Sequence, residues 1–230
     1  MLNETLREII SGSASRGWVL EPDSKLILES AGLKVPRGIY TTDPDRAASF
    51  LAGCKGPVVM KVVSPDVVHK SEVRGVVTGI DDEARLRKEF ARLHGLKGAV
   101  GVLVEETAVG IELILGAIND HQFGPVLLLG FGGTGVEIYR DTTMRMAPVD
   151  RALVRAMIKE LKGRPLLEGY RGSSPIDLDS LVESVTRFSE LTLELENEFE
   201  SIDLNPLICN SDGCVAADAR IMLLSQTNGS

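Results

Sequence analysis

The sequence has few cysteines and no long apolar run, and each shortage excludes a class of protein. Its three cysteines lack CxxC spacing, which argues against a disulfide scaffold and favours free thiols in a reducing compartment. No apolar run approaches the roughly 20 residues that cross a bilayer, and the polar N-terminal stretch is typical of a short helix and does not resemble a signal peptide. We therefore expect a cytoplasmic protein with no membrane partner.

An excess of positive charge is also missing. The 25 Lys and Arg residues are outnumbered by 33 Asp and Glu residues, for a formal net charge of −8. This balance argues against nucleic acid as a partner, so any anion site must come from local lysines, backbone N–H groups or a metal. The 230 residues, 43% of them hydrophobic, suffice for a well-buried core in one large domain or two small ones.

A lysine inside an apolar strand is the most informative feature that is present. The run Val58–Val63 is typical of a buried strand, and burial of Lys61 within it is costly unless an anion meets its ammonium. A Ser-Pro-Asp turn ends the strand, and His69 follows on the loop before a second β-run at 73–80. The pair suggests phosphate chemistry, because lysine holds phosphate as a point charge and neutral imidazole is a good nucleophile. On these residues alone, a snorkelling lysine and an ordinary surface histidine explain the pattern equally well.

The order of the predicted elements indicates an α+β fold. Caps and breakers place helices near 43–53, 81–95, 150–163 and 178–196. The predicted strands are 58–63, 73–80, 100–105, 111–118, 126–129, 136–139, 202–208 and 215–221. This order lacks the regular alternation of a doubly wound parallel sheet and favours subdomains with largely antiparallel sheets. The turn Thr107–Gly110 is the predicted hinge between an early and a late subdomain.

The C-terminal segment is predicted to form a β-hairpin around a dense Asn-Ser-Asp-Gly turn. A four-residue loop places Asn205 opposite Asp218 and Asp203 opposite Arg220, with opposed Cβ atoms about 5 Å apart. Two carboxylates and an amide oxygen clustered in this way could hold Mg²⁺. The alternative is an exposed polar face with an ion pair worth little, which the odd Asn-Pro inside a strand disfavours. The same register pairs the two C-terminal cysteines, which we expect to be reduced core residues, with a disulfide between them as the less favoured alternative.

Two further signals are weaker. Glu105, Glu106 and Glu112 flank a turn between two strands and could accept hydrogen bonds from an adenine amino group and ribose hydroxyls, although glutamates beside a turn usually only solvate it. The loop Gly130–Gly135 follows an apolar run, and its N–H groups could form a phosphate nest. A tight hairpin turn explains this loop equally well.

Taken together, four collinear segments resemble the ATP-grasp subunit of the ADP-forming (NDP-forming) acyl-CoA synthetases, relatives of succinyl-CoA synthetase. The segments are VVMKVVSPDVVHKSEV, FGPVLLLGFGGTGVEIYRD, LLEGYRG and IDLNP with ADARI, and the resemblance runs from about Glu21 to Ile221. It implies an ATP-grasp fold of two subdomains with a nucleotide cleft between them. The small subdomain is expected at 25–105, and the large one at 1–24 and 106–230.

The resemblance also implies roles for individual residues. Lys61 matches the strand lysine on the nucleotide phosphates, and His69 matches the histidine of the SPDxxHKS stretch that is phosphorylated in transit to ADP. The nucleotide-binding connection corresponds to Glu105, Glu106 and Ala108 around the adenine, with Glu112 on the ribose. The matched Mg²⁺ ligands are Asp203, Asn205 and Asp218. The glycine loop, Gly132 and Gly133 especially, is expected near phosphate or the partner interface, and Arg220 is a further candidate phosphate contact.

The activity that the resemblance implies is that of an acid–thiol ligase. Acyl-CoA and phosphate would give an acid, CoA and, through a phosphohistidine, ATP from Mg·ADP, in a reversible reaction. The chain has no recognisable CoA-binding Rossmann region, so the implied partner is a CoA-binding alpha subunit in a hetero-oligomer, for example α2β2.

One departure from the family pattern concerns the histidine loop. Arg74-Gly75 stands where family members often have paired glycines, which bears on how freely the loop moves, and Arg74 could contact phosphate. Three alternatives remain: the ATP-grasp portion of a carboxylate ligase, that of a protein acetyltransferase, and a non-catalytic ATP-binding regulatory module. His69 separates them, because ordinary ATP-grasp ligases pass an acyl phosphate directly and need no phosphohistidine.

Overall fold

The computed structural model describes residues 4–133 and 141–225, and the chain divides into two compact units. The larger unit comprises the chain up to Val35 and from Val109 onward, and the smaller unit spans Pro36–Ala108. The chain returns from the smaller unit to the larger one between Ala108 and Val109, inside the turn Thr107–Gly110 that was predicted as a hinge. Residues 25–35, which the sequence placed in the small subdomain, pack in the larger unit because Ile27, Leu28 and Leu33 join its core.

The helices and strands alternate irregularly along the chain. The helices are α1 Glu4–Ser13, α2 Glu21–Ser30, α3 Pro44–Ala52, α4 Glu83–His94, α5 Arg151–Glu160, α6 Arg164–Leu167 and α7 Leu178–Glu194. The strands are β1 Trp18–Val19, β2 Gly38–Thr41, β3 Val58–Val63, β4 Val76–Ile80, β5 Gly101–Glu106, β6 Ile111–Asp120, β7 Gly124–Phe131, β8 Thr142–Met146, β9 Phe199–Asn210, β10 Gly213–Ala216 and β11 Arg220–Leu223. No helix within the described ranges is long and apolar enough to cross a membrane.

The smaller unit is a four-stranded antiparallel sheet in the order β2-β5-β3-β4. Its core joins α3 and α4 to one face of that sheet, with Met60, Val62 and Phe90 among the buried residues. Both helices begin at a capping aspartate, because the side chains of Asp43 and Asp82 accept hydrogen bonds from backbone N–H groups of the first turn. The opposite face of β3 carries Lys61.

The larger unit is a seven-stranded antiparallel sheet in the order β1-β11-β9-β6-β7-β8, with β10 also paired to β9. Its core joins one face of this sheet to residues of α1, α2, α5, α6 and α7. Since Ile202 and Leu204 are part of that core, the intervening Asp203 lies on the other face. The predicted α+β fold with antiparallel sheets is therefore confirmed.

Several elements differ from the prediction. The strand expected at 73–80 begins only at Val76, because the chain turns at Arg74, whose φ is 51°. The run expected at 215–221 is divided between β10 and β11. Elements α2, α6, β1, β2 and β8 were not predicted, and the strand expected at 136–139 lies outside the described residues.

The hairpin register is confirmed at both of its ends. Cys214 pairs with Cys209, and Arg220 pairs with Asp203. The two cysteines form a disulfide in the structure, so the expectation that both are free thiols is corrected. Their side chains are buried in the core of the larger unit.

Candidate functional site

Lys61 meets a protein carboxylate within the smaller unit. Val59 of β3 pairs with Glu105 of β5, so Lys61 lies diagonally across from Glu105 on the same face. The Lys61 Nζ atom is 3.0 Å from Glu105 Oε2, and the two residues are only 6% and 2% exposed. This ion pair supplies the anion that a buried strand lysine requires.

Gly38 of β2 makes room for this carboxylate. Gly38 pairs with Glu105 from the other side of β5, and a Cβ atom at Gly38 would lie 2.7 Å from Glu105 Cγ. A larger side chain would therefore displace Glu105 from Lys61. The sequence held no signal for this neighbour, because pairing between distant strands is not encoded in local spacing.

The connection after β5 is held by backbone and side-chain bonds. The Glu106 N–H donates to the Arg37 carbonyl at 2.9 Å, and the Thr107 hydroxyl donates to the Pro57 carbonyl at 2.8 Å. The Arg37 guanidinium lies 2.5 Å from the Glu106 carboxylate, and this hydrogen bond holds the pKa of Glu106 below its ordinary value. Arg37 orients Glu106, one of the predicted adenine contacts, through this ion pair. The sequence did not reveal this role of Arg37.

His69 lies exposed on the loop between β3 and β4. Its carbonyl accepts a hydrogen bond from Glu72 N–H at 3.3 Å, and Gly75 closes the loop by donating to the Lys70 carbonyl. The Gly75 carbonyl in turn accepts from Val62 N–H at 2.8 Å, which ties the end of the loop back to β3. An exposed imidazole is thus held on a loop anchored beside the strand that carries Lys61.

The residue pair at the base of this loop is sterically demanding. Arg74 adopts φ 51°, a left-handed conformation that favours glycine. A Cβ atom at Gly75 would lie 2.6 Å from Val62 Cγ1 and 2.9 Å from the Lys70 carbonyl oxygen. The first position of this pair thus has a glycine-like backbone conformation but carries a cationic side chain.

In the larger unit, Glu112 lies against the glycine loop. Gly132 N–H donates to the Glu112 carbonyl at 2.7 Å. A Cβ atom at Gly133, which has a φ of 84°, would lie 3.4 Å from Glu112 Oε2. The structure thus brings together three predicted contacts of the nucleotide, Glu112, Gly132 and Gly133. Thr134 and Gly135 of the same loop lie outside the described residues.

Asp203 and Arg220 form the ion pair that was expected under the alternative to a metal site. The Arg220 guanidinium donates to Asp203 Oδ2 at 2.8 Å, with both side chains about one-third exposed. Asp203 also pairs with Gly116 of β6, where a Cβ atom would meet Asp203 Oδ1 at 3.4 Å. The carboxylate therefore lies over a small residue on the face of the sheet opposite the core.

Asn205 and Asp218 do not pair directly, because the hairpin is interrupted between them. Ala216 pairs with Leu207 and Arg220 with Asp203, so the register is the same before and after the interruption. On its other side β9 carries a bulge, since Leu113 pairs with Leu207 but Leu115 with Leu204. Asn205 lies within that bulge and is exposed.

The donor chemistry of this segment fits Mg²⁺. Asp203 and Asp218 offer partly exposed carboxylates and Asn205 an exposed amide, and Mg²⁺ prefers oxygen ligands in small number, completed by water and phosphate. Among the described residues, no group of three or more His, Cys, Asp or Glu side chains is placed to hold a metal ion.

A family model described as an ATP-grasp domain matches residues 12–223. The beta subunit of acetate–CoA ligase (ADP-forming) I from Pyrococcus furiosus is 36% identical over 226 residues, which cover 94% of this chain and 97% of that protein. Acetate–CoA ligase (ADP-forming) II from Archaeoglobus fulgidus is 37% identical over 206 residues, 89% of this chain but 30% of that longer protein.

A solved structure is also similar to this chain, in both sequence and fold. The dinucleotide-forming acetyl-coenzyme A synthetase 1 of Ca. Korarchaeum cryptofilum, in complex with coenzyme A and Mg-AMPPCP, has 33% sequence identity and a TM-score of 0.83. The match covers 95% of this chain and 100% of that one, whose phosphohistidine segment is described as pointing towards the nucleotide binding site. The resemblance inferred from the sequence is confirmed, and the chain belongs to the ATP-grasp family, among the beta (ATP-grasp) subunits of the ADP-forming acyl-CoA synthetases.

Proposed function

We propose that this protein is the nucleotide-binding beta subunit of an ADP-forming acyl-CoA synthetase, and that His69 carries the phosphoryl group to ADP. The position of His69 carries the proposal: an exposed imidazole lies on the loop that directly follows the strand of the buried Lys61. Support comes from the Pyrococcus furiosus relative, named as a beta subunit, and from the solved synthetase with a phosphohistidine segment and a magnesium nucleotide.

The reaction divides between this chain and a CoA-binding alpha subunit. On the partner, acyl-CoA and phosphate give an acyl phosphate and CoA, and the acyl phosphate then phosphorylates a histidine there, releasing the acid. A neutral ring nitrogen of His69 attacks that phosphorus, so that one N–P bond forms as the other breaks. A terminal phosphate oxygen of ADP next attacks the phosphorus on His69, which yields ATP and restores the neutral imidazole.

Most of the catalytic effect comes from position and charge, because phosphoryl transfer needs little covalent help from the protein. Lys61 contacts the nucleotide phosphates, and Glu105 keeps its ammonium fixed in the sheet. Bound Mg²⁺ would neutralise developing charge on the phosphate oxygens. The residues that would hold it are Asp203, Asn205 and Asp218.

The remaining contacts orient the nucleotide. The stretch from Glu105 through Glu106 to Ala108 contacts the adenine, and Glu112 contacts the ribose. The backbone N–H groups near Gly132 and Gly133, together with Arg220, contact phosphate. Arg220 can do so because its guanidinium presents several donors, of which one is used by Asp203.

Radiolabelling tests the central step. Incubation of the full chain with γ-labelled ATP and Mg²⁺ should leave acid-labile, base-stable label on the wild type and none on His69→Ala. The matched control is His121→Ala, because His121 is an exposed histidine in a turn of the larger unit, and this variant should keep the label. Circular dichroism and ADP calorimetry should show that His69→Ala still folds and binds nucleotide.

The same experiment separates the alternatives. Full acyl-CoA synthetase activity of His69→Ala with its alpha subunit would show that the relay is wrong. Nucleotide binding without any label on the wild type would favour a direct acyl-phosphate ligase or a regulatory ATP-binding module.

A further inference from the structure

The interruption between β10 and β11 is held in place by contacts from several directions. The Ala217 N–H donates to the Pro206 carbonyl at 3.0 Å, and the preceding Ala216 N–H donates to the Lys34 carbonyl at 2.8 Å. The Ala217 carbonyl accepts a hydrogen bond from Lys25 Nζ at 2.9 Å. Asp218, the next residue, is a proposed Mg²⁺ ligand, and its Oδ1 accepts from the Ala219 N–H at 2.9 Å.

Lys25 is a buried cation with no part in the reaction as described. It lies on α2, is 4% exposed, and forms an ion pair at 3.0 Å with Glu21, which is 2% exposed and one turn earlier on the same helix. Placing two charges in a core is costly, and replacing such a pair by apolar residues is often neutral or stabilising. The pair is therefore poorly explained by stability alone.

The contact that Lys25 makes explains its position. Lys25 donates to the Ala217 carbonyl within the strand interruption, and an ammonium donates a stronger hydrogen bond than a neutral group does. Lys25 fixes the peptide plane between Ala217 and Asp218, and so limits the directions that the Asp218 side chain can take. Partners of this kind orient metal ligands in many sites.

Resting on the proposed function above, we propose that Lys25 is a positioning residue for Asp218 and that Glu21 holds the Lys25 ammonium in place. Neither side chain touches the nucleotide or the metal. Their role is to keep Asp218 in the orientation that accepts Mg²⁺. The Glu-Lys spacing of four residues on α2 was visible in the sequence, but its distant partner Ala217 was not.

The test is the Mg²⁺ dependence of ADP binding, measured by calorimetry on the full chain. The variant is the double substitution Lys25→Met with Glu21→Gln, which removes both charges and leaves no unbalanced carboxylate. We expect the Mg²⁺ concentration for half-maximal enhancement of ADP affinity to rise about 10- to 100-fold. The affinity for ADP without metal should stay at the wild-type value. Lys25→Arg, which keeps a cationic donor, should recover part of the Mg²⁺ response.

Two control variants separate positioning from charge and from stability. Lys159→Met removes an exposed cation of the same unit, and Val185→Ala weakens the same core from α7; both should keep the wild-type Mg²⁺ requirement. Hydrogen exchange in metal-free protein gives a second readout. The amides of Ala217 and Ala219 should exchange faster in the double variant than in either control.

The outcomes are distinguishable from failure of the proposed function. A wild-type Mg²⁺ requirement in the double variant, or an equal loss in Val185→Ala, would overturn the positioning role and leave the metal site standing. If ADP binding to the wild type does not respond to Mg²⁺, the proposed metal site is itself wrong, and the role of Lys25 falls with it.

Discussion

Lys61 and Glu105 form an ion pair of 3.0 Å in the smaller unit, with both side chains almost fully buried. Loss of either partner would leave a charge in a low-dielectric environment, which is far more costly than loss of the pair as a whole. Comparing a single with a double substitution of this pair can therefore separate two effects of Lys61, one on stability and one on nucleotide binding.

Lys61→Met should destabilise the protein by about 3 kcal/mol, because the Glu105 carboxylate loses its cation while buried. The double variant Lys61→Met with Glu105→Gln should recover most of that loss. Neither variant should bind ADP with wild-type affinity. Urea unfolding and calorimetry measure the two effects, and Lys88→Met, an exposed substitution on α4, should change neither. Wild-type ADP affinity in the double variant would contradict the assignment of Lys61.

Arg74→Gly should raise the free energy of unfolding by about 1 kcal/mol, because Arg74 has a left-handed φ of 51° that costs a non-glycine residue about that much. The neighbouring Gly75→Ala should act in the opposite sense, since its Cβ would clash with Val62 and the Lys70 carbonyl. Chemical denaturation checks both. A destabilised Arg74→Gly variant would mean that the arginine side chain contributes more than its backbone strain costs.

Asp218→Asn should weaken ADP binding in the presence of Mg²⁺ by about 10- to 100-fold and leave metal-free ADP binding unchanged. The reason is that an amide oxygen is a poorer ligand than a carboxylate for a hard divalent cation. The control is Asp212→Asn, an exposed carboxylate in the turn of the same C-terminal hairpin. Calorimetry with and without EDTA provides the comparison, and equal Mg²⁺ responses in the two variants would argue against a ligand role for Asp218.

Arg37→Met should raise the pKa of the Glu106 carboxyl towards its ordinary value of 4.5, since the Arg37 hydrogen bond now lowers it. A lowered carboxyl pKa contributes stability that is present above the unfolded-state pKa and lost as the pH falls through the folded-state value. The variant should therefore be less stable than the wild type above about pH 4.5, and the two stabilities should converge in more acid solution. An NMR titration of the Glu106 carboxyl carbon follows the change directly, and an unaltered midpoint would refute it.

Local signals predicted much of the architecture. Asp43, Asp82 and Asp150 each cap a helix where the sequence placed one. The hairpin register followed from a turn signal and the strict alternation of strand side chains. Strands β1, β2 and β8 were missed because they are short or polar, and they form strands only through pairing with distant partners.

The sequence predicted which types of residue form the candidate site, but it did not predict which residues contact one another. The sequence indicated that Lys61 needs an anion, yet only the pairing of β3 with β5 identifies Glu105 as its partner. Similarly, the hydrogen bond from Lys25 to the Ala217 carbonyl joins residues that are 192 positions apart in the sequence. Such contacts depend on tertiary arrangement, for which local spacing carries no information.

The pairing of β1 with β11 has a consequence for the order in which the protein is completed during synthesis. Trp18 pairs with Met222, so β1 cannot complete its pairing until β11 has also been made. The smaller unit is one uninterrupted stretch of chain, and its four strands are all available long before then. Because domains fold as units during translation and distant pairings form slowly, we expect the Lys61 strand and the His69 loop to be in place while the hairpin that carries Asp203 and Asp218 is still being made.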